Sequence, residues 1–86
     1  MKIISKDTKT ATLSNYYIEE VQEVPSNASF IVDGKKIDLV AEAEDIERWL
    51  KGKKGKKFRI TYGKVYGWLG DSETEYEVLM DAKQLK

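Results

Sequence analysis

Apolar and polar residues alternate with a period of two over much of this chain and recur every three to four residues in two short stretches. The clearest element is a hairpin. Phe30-Ile31-Val32 and Ile37-Asp38-Leu39-Val40 flank Asp33-Gly34, and both turn residues tolerate the positive φ that a two-residue turn demands. With Asp33 and Gly34 at the turn, Val32 faces Lys35 and Phe30 faces Ile37. Phe30, Val32, Ile37 and Leu39 then share one face, with Lys36 and Asp38 on the other.

A second hairpin is predicted from alternation over 57–69, a turn at Gly70-Asp71-Ser72, and a return over 73–80. A three-residue loop sets Tyr66 against Tyr76 and Tyr62 against Met80. Strict alternation carries the Lys64 ammonium onto the stripe of Phe58, Ile60, Tyr62, Tyr66 and Trp68, and burying an unpaired charge costs more than bending a strand. Gly63 is a natural bulge position. A bulge there turns Lys64 away, brings Val65 inside and leaves Tyr66 and Trp68 facing solvent.

The period of three to four appears twice. Tyr17, Ile18, Val21 and Val24 predict a helix over 16–24, capped by Ser14 or Asn15 and stopped by Pro25, although the β-branched and Tyr content pulls the segment toward a strand. Ala43, Ile46, Trp49 and Leu50 predict a helix over 42–51, with Glu42, Glu44 and Asp45 at its start, Arg48 and Lys51 at its end and Gly52 as a left-handed stop. Trp49 is expected to anchor that helix in the core. Residues 2–5 and 9–13 read as one broken strand or two edge pieces, and 81–86 as a frayed tail. The fold expected is α+β: a single domain over 1–86, a mainly antiparallel sheet with two hairpins and one or two short helices packed on one face.

Composition narrows function by exclusion. An 86-residue chain with 41% hydrophobic residues builds one small core, without a deep walled cavity beside it. Neither Cys nor His occurs, which removes disulfides, thiol nucleophiles, imidazole acid–base chemistry and thiolate or imidazole metal sites. Glu73, Glu75 and Glu77 share a strand face at about 7 Å spacing, but alternating acids on a solvated face are a common way for a sheet to resist edge aggregation. Asp71-Ser72-Glu73-Thr74-Glu75 begins like a calcium loop and fails at Tyr76 and Ala82. The 52–57 run lacks the spacing and terminal Ser/Thr of a phosphate-binding loop. The chain reads as a non-enzyme without cofactor or metal. Without an apolar run of signal-peptide length near Met1 it is expected in the cytoplasm, with no membrane partner.

Charge is where the sequence is unusual. Fifteen basic residues balance fifteen acids, yet eight of the basic residues and no acid lie between Arg48 and Lys64. Two functions fit such segregation. The first is a protein-interaction module, an inhibitor that docks on and blocks a larger enzyme or nucleoprotein complex, such as a host nucleic-acid-processing enzyme. Its partner-binding residues are Lys53, Lys54, Lys56, Lys57, Arg59, Tyr66 and Trp68. In style the chain resembles small accessory and inhibitor proteins of bacteriophages and mobile elements, a likeness of class that rests on no motif. The alternative is a single-stranded nucleic-acid binder using the basic 51–57 loop and adjacent aromatics. An exposed edge strand would also let two copies pair as a homodimer.

Overall fold

Asp33 and Gly34 take φ of +50° and +77° and fold β3 (Ser26–Val32) back on β4 (Lys35–Ala41). Phe30 stands opposite Ile37 and Val32 opposite Lys35, as the turn dictates, which sends Ala28, Phe30, Val32, Leu39 and Ala41 into the core. The computed structural model describes residues 1–21 and 24–85, and in it this hairpin is part of a sheet that closes on itself. β2 (Asp7–Tyr17) pairs antiparallel with β3 on one side and with β5 (Lys57–Leu69) on the other. β5 pairs antiparallel with β6 (Ser72–Gln84), and β6 meets β4 in parallel at Val40 and Val78. The ring runs β2-β3-β4-β6-β5 and back to β2. Outside it, β1 (Lys2–Ile3) continues the line of β2 along β5, with Lys2 opposite Tyr66 and Ile3 opposite Val65.

This closed five-stranded barrel overturns the α+β expectation. A barrel buries its inner face against itself and needs no helical layer. Over 16–24 the strand tendency wins: Tyr16 and Tyr17 complete β2 opposite Ala28 and Asn27, and 18–21 has no regular structure. Gln22 and Glu23 of that predicted helix lie outside the described residues. The segment 42–51 is helical but short, an α-helical turn α1 (Ala43–Asp45) running into a π-helical turn (Ile46–Leu50). It drives Ile46 and Leu50 into the core, with Trp49 half-buried against it. At the centre, the Phe30 and Phe58 rings meet edge to face, 6.3 Å apart.

The β5–β6 hairpin differs from expectation in its turn. Leu69 faces Ser72 across a two-residue turn with Gly70 at φ +65°, so Tyr66 stands opposite Glu75 and Val65 opposite Tyr76. The predicted frayed tail is strand as far as Gln84, with Ala82 opposite Ile60 in the core. The exposure pattern follows the expectation: Phe58, Ile60 and Val65 are buried, whereas Tyr66 and Trp68 are 41% and 67% exposed. The extra residues, however, belong to the neighbours of β5. Met80 is the unpaired residue on β6, between Leu79 opposite Tyr62 and Asp81 opposite Thr61. On the other side Ile4 and Ser5 both donate their N–H to the Lys64 carbonyl, at 2.8 and 3.1 Å. β5 therefore runs through without an insertion while both flanks bulge around it. Beyond Tyr62, which packs on the core, β5 and β6 leave the barrel as an arm with β1 along its edge.

Candidate functional site

β5 and the loop before it carry the predicted partner-binding residues, but at opposite ends. Lys57 and Trp68 are eleven residues apart, about 36 Å at the rise of a strand, in a molecule whose longest extent is 37 Å. The basic run and the exposed aromatics form two surfaces.

The basic surface begins with the loop after the helical segment. Gly55 donates its N–H to the Leu13 carbonyl, and Leu13 in turn donates to the Lys56 carbonyl, so the loop extends the sheet alongside β2. Tyr16 secures it from within. Its hydroxyl accepts the Gly52 N–H at 3.0 Å, and the Lys54 ammonium lies 5.5 Å from its ring centroid. Lys54, Lys56 and Lys57 are exposed and Lys53 is partly so. Where β5 enters the barrel, Phe58 and Ile60 point inward, which turns Lys57 and Arg59 outward. The sheet then sets Lys57 beside Thr12, and Arg59 between Thr10 on β2 and Lys83 on β6. In the next row Thr8 and Thr61 share a hydrogen bond of 3.1 Å, and Asp81 lies opposite Thr61 as the acid of this face. Among the described residues the one ion pair is Lys9–Asp33, 3.5 Å across the far end of the barrel. Arg59 and Lys83 thus stand directly opposite each other, and among the described residues neither forms an ion pair.

One further aromatic ring is exposed at the end of β2. Tyr17 follows Tyr16 on β2 and points to the other side of the strand, 49% exposed. Its hydrogen bond to Glu19, together with that carboxylate's charge, raises its pKa above the ordinary tyrosine value.

The second surface is the arm. Trp68 stands opposite Glu73, Tyr66 opposite Glu75 and Lys64 opposite Glu77, with Lys2 beyond Tyr66. These residues share one pleat face. The Tyr66 hydroxyl donates to Glu73 Oε1 at 2.9 Å, and this bond raises the pKa of Tyr66. The opposite face is covered: Val65 is fully buried, and Met1 lies over Gly67.

Neither surface is a cavity. Among the described residues no pocket opens, no group of three or more carboxylates could hold a metal ion, and no helix is long and apolar enough to cross a membrane. No protein-family model, curated protein or solved structure matches the chain. Sequence reasoning found the basic run and Arg59 but missed Lys83, Thr10 and Thr12. Lys83 fell in the supposed frayed tail.

Proposed function

We propose that this protein binds single-stranded nucleic acid, without chemistry, along the loop at Lys53, Lys54 and Lys56 and the outer face that carries Lys57, Arg59 and Lys83. The observation that carries this reading is the pairing of Arg59 with Lys83. Like charges directly opposite on neighbouring strands destabilise a sheet by about 0.2–1 kcal/mol, and a polyanion laid across them turns that repulsion into attraction. Threonines beside the cations, Thr10 next to Arg59 and Thr12 next to Lys57, offer hydroxyls to phosphate oxygens.

The shape of the surface supports a single strand over a duplex. Its reading elements are strands and a short loop, and the one helical segment among the described residues sends Ile46 and Leu50 into the core, so it is not free to enter a major groove. The ring order, with a helical turn between the third and fourth barrel strands, is also the Greek-key connectivity of oligonucleotide- and oligosaccharide-binding barrels. That likeness is one of fold and lends this site no support, because such barrels take their ligands on the face of the second and third strands, here β3 and β4, and not where Lys57, Arg59 and Lys83 lie. Zero net charge does not preclude such a local surface: Glu73, Glu75 and Glu77 lie on the arm, and Asp81 stands one row from Arg59 and Lys83.

Fluorescence anisotropy with labelled DNA and RNA oligomers tests the reading. Six phosphate contacts to a single strand give a log–log salt slope of about −4, from roughly −0.7 per contact. Replacing Lys53, Lys54, Lys56 and Lys57 with Ser should flatten the slope toward about −1.4 while the melting temperature barely moves. Absence of binding to either oligomer at low salt rejects the proposal.

A further inference from the structure

The arm has a charge and a chemistry of its own, and the nucleic-acid reading leaves it unused. Trp68 is the most exposed aromatic side chain of the described residues, and it sits on regular strand rather than in a loop. A side chain of that size left in water on a small domain contributes little to folding and supplies large contact area at low entropy cost when covered. Tyr66 beside it is already oriented by its hydrogen bond to Glu73. The backing of the arm removes the flexibility an isolated hairpin would have. Its far face is buried over Val65, and the edge of β5 is tied to Ile4 and Ser5, just after β1, by two bonds into the Lys64 carbonyl and by the Lys64 N–H donated to Ser5 Oγ at 3.1 Å.

Charge decides what this platform can take. Glu73, Glu75 and Glu77 stand opposite Trp68, Tyr66 and Lys64 on this face, with Lys2 beyond Tyr66. None of these carboxylates forms an ion pair among the described residues. Phosphate is repelled by such a rim, so nucleic acid on the basic face does not extend here. A guanidinium suits both parts at once, because it stacks on an indole and presents a planar fork to carboxylates.

We infer that the arm is a docking site for an arginine-bearing segment of a partner protein, in which a guanidinium lies on the Trp68 ring and pairs with Glu73 or Glu75. An ammonium would gain the attraction but neither the planar stacking nor the two-pronged pairing, so the site discriminates arginine from lysine.

The probe is an acetylated Arg-Gly hexapeptide, with Lys-Gly and Glu-Gly peptides of equal length, titrated into isotopically labelled protein. Amide and indole NMR shifts are followed in the wild type and in Trp68→Ala and Glu73→Gln/Glu75→Gln variants. The Arg peptide is expected to shift the resonances of Tyr66, Trp68 and Glu73–Glu75, to bind several-fold tighter than the Lys peptide, and to weaken at least about fivefold in Trp68→Ala. Three results overturn the inference. One is equal affinity for the Arg and Lys peptides, another is shifts that persist in both variants, and the third is absence of shifts on the arm. Sedimentation of the protein alone settles the remaining occupant: self-association that Trp68→Ala abolishes would mean that a second copy, through its own Arg59 end, occupies the site in place of a partner protein.

Discussion

Gly63 is where the N-terminal segment crosses β5, and the crossing leaves no room for a side chain. A methyl group built there stands 1.9 Å from the Ser5 carbonyl oxygen, 2.7 Å from its carbon and 2.9 Å from the Lys6 Cα, all backbone atoms. To reach ordinary contact the segment must withdraw by more than 1 Å, which breaks the bonds from Ile4 and Ser5 to the Lys64 carbonyl and from the Lys64 N–H to Ser5 Oγ. Three such bonds at about 1 kcal/mol each give roughly 3 kcal/mol. Reduced freedom of the unfolded chain returns about 0.4–1 kcal/mol. A net loss near 2 kcal/mol is expected for Gly63→Ala, lowering Tm by about 8–16 °C in a domain of this size. Gly67 four residues on is the matched control, because the nearest atoms a methyl there meets are Met1 Cγ, Cα and Cβ, at 3.4–3.5 Å. Gly67→Ala should be neutral or stabilising. Urea melts of both variants, with amide exchange at Ile4 and Ser5, make the comparison. Equal melting points, or unchanged protection of the Ile4 and Ser5 amides in Gly63→Ala, would refute the account of how β1 backs the arm.

Lys83→Glu should raise stability by about 0.2–1 kcal/mol by relieving the repulsion with Arg59 while weakening oligonucleotide binding; a variant that loses stability in urea melts would show that the pair is not repulsive. Trp68→Ala should cost under about 1 kcal/mol, because its ring is already in water, whereas Trp49→Ala should cost about 2 kcal/mol or more, because that ring packs on the core; the order of the two melting points checks this. Alkaline pH reaches Tyr66 through its bond to Glu73. A pKa raised in the folded state holds its stabilisation fully below the unfolded tyrosine value near 10 and loses it as pH climbs through the folded one. Ultraviolet titration should therefore show one tyrosine fewer in the high-pH group in Tyr66→Phe, and Glu73→Gln should return Tyr66 toward its ordinary value.

What the sequence could disclose was set by range of interaction. The Asp33-Gly34 hairpin was legible because two residues that accept positive φ fix the register of everything beside them. The exposure of Trp68 was legible because Lys64 makes the buried alternative electrostatically untenable. The barrel was not, because closure depends on Val40 meeting Val78 and on β2 finding β5, pairings between distant segments that no local period records. Tyr17, Ile18, Val21 and Val24 satisfy a helical spacing, yet Tyr16 and Tyr17 gain more from partners on β3, and context overrides propensity at such ambiguous stretches.

The candidate surfaces divide the same way. The cation run at 51–57 is local and was visible as a run. Its completion by Lys83 required β6 to continue past Met80, where the extra residue shifts the register and brings Ala82 inward and Lys83 outward, beside Arg59. The separation of Lys57 from Trp68 follows from β5 being one unbroken strand, since an extended chain cannot fold its two ends onto a common face. A molecule with no net charge thereby presents a cationic end and an anionic, aromatic end. Oligonucleotide affinity and arginine-peptide affinity should accordingly respond to separate sets of substitutions, with little coupling between Arg59 and Trp68 in a double-mutant cycle, as for sites too far apart to share a partner.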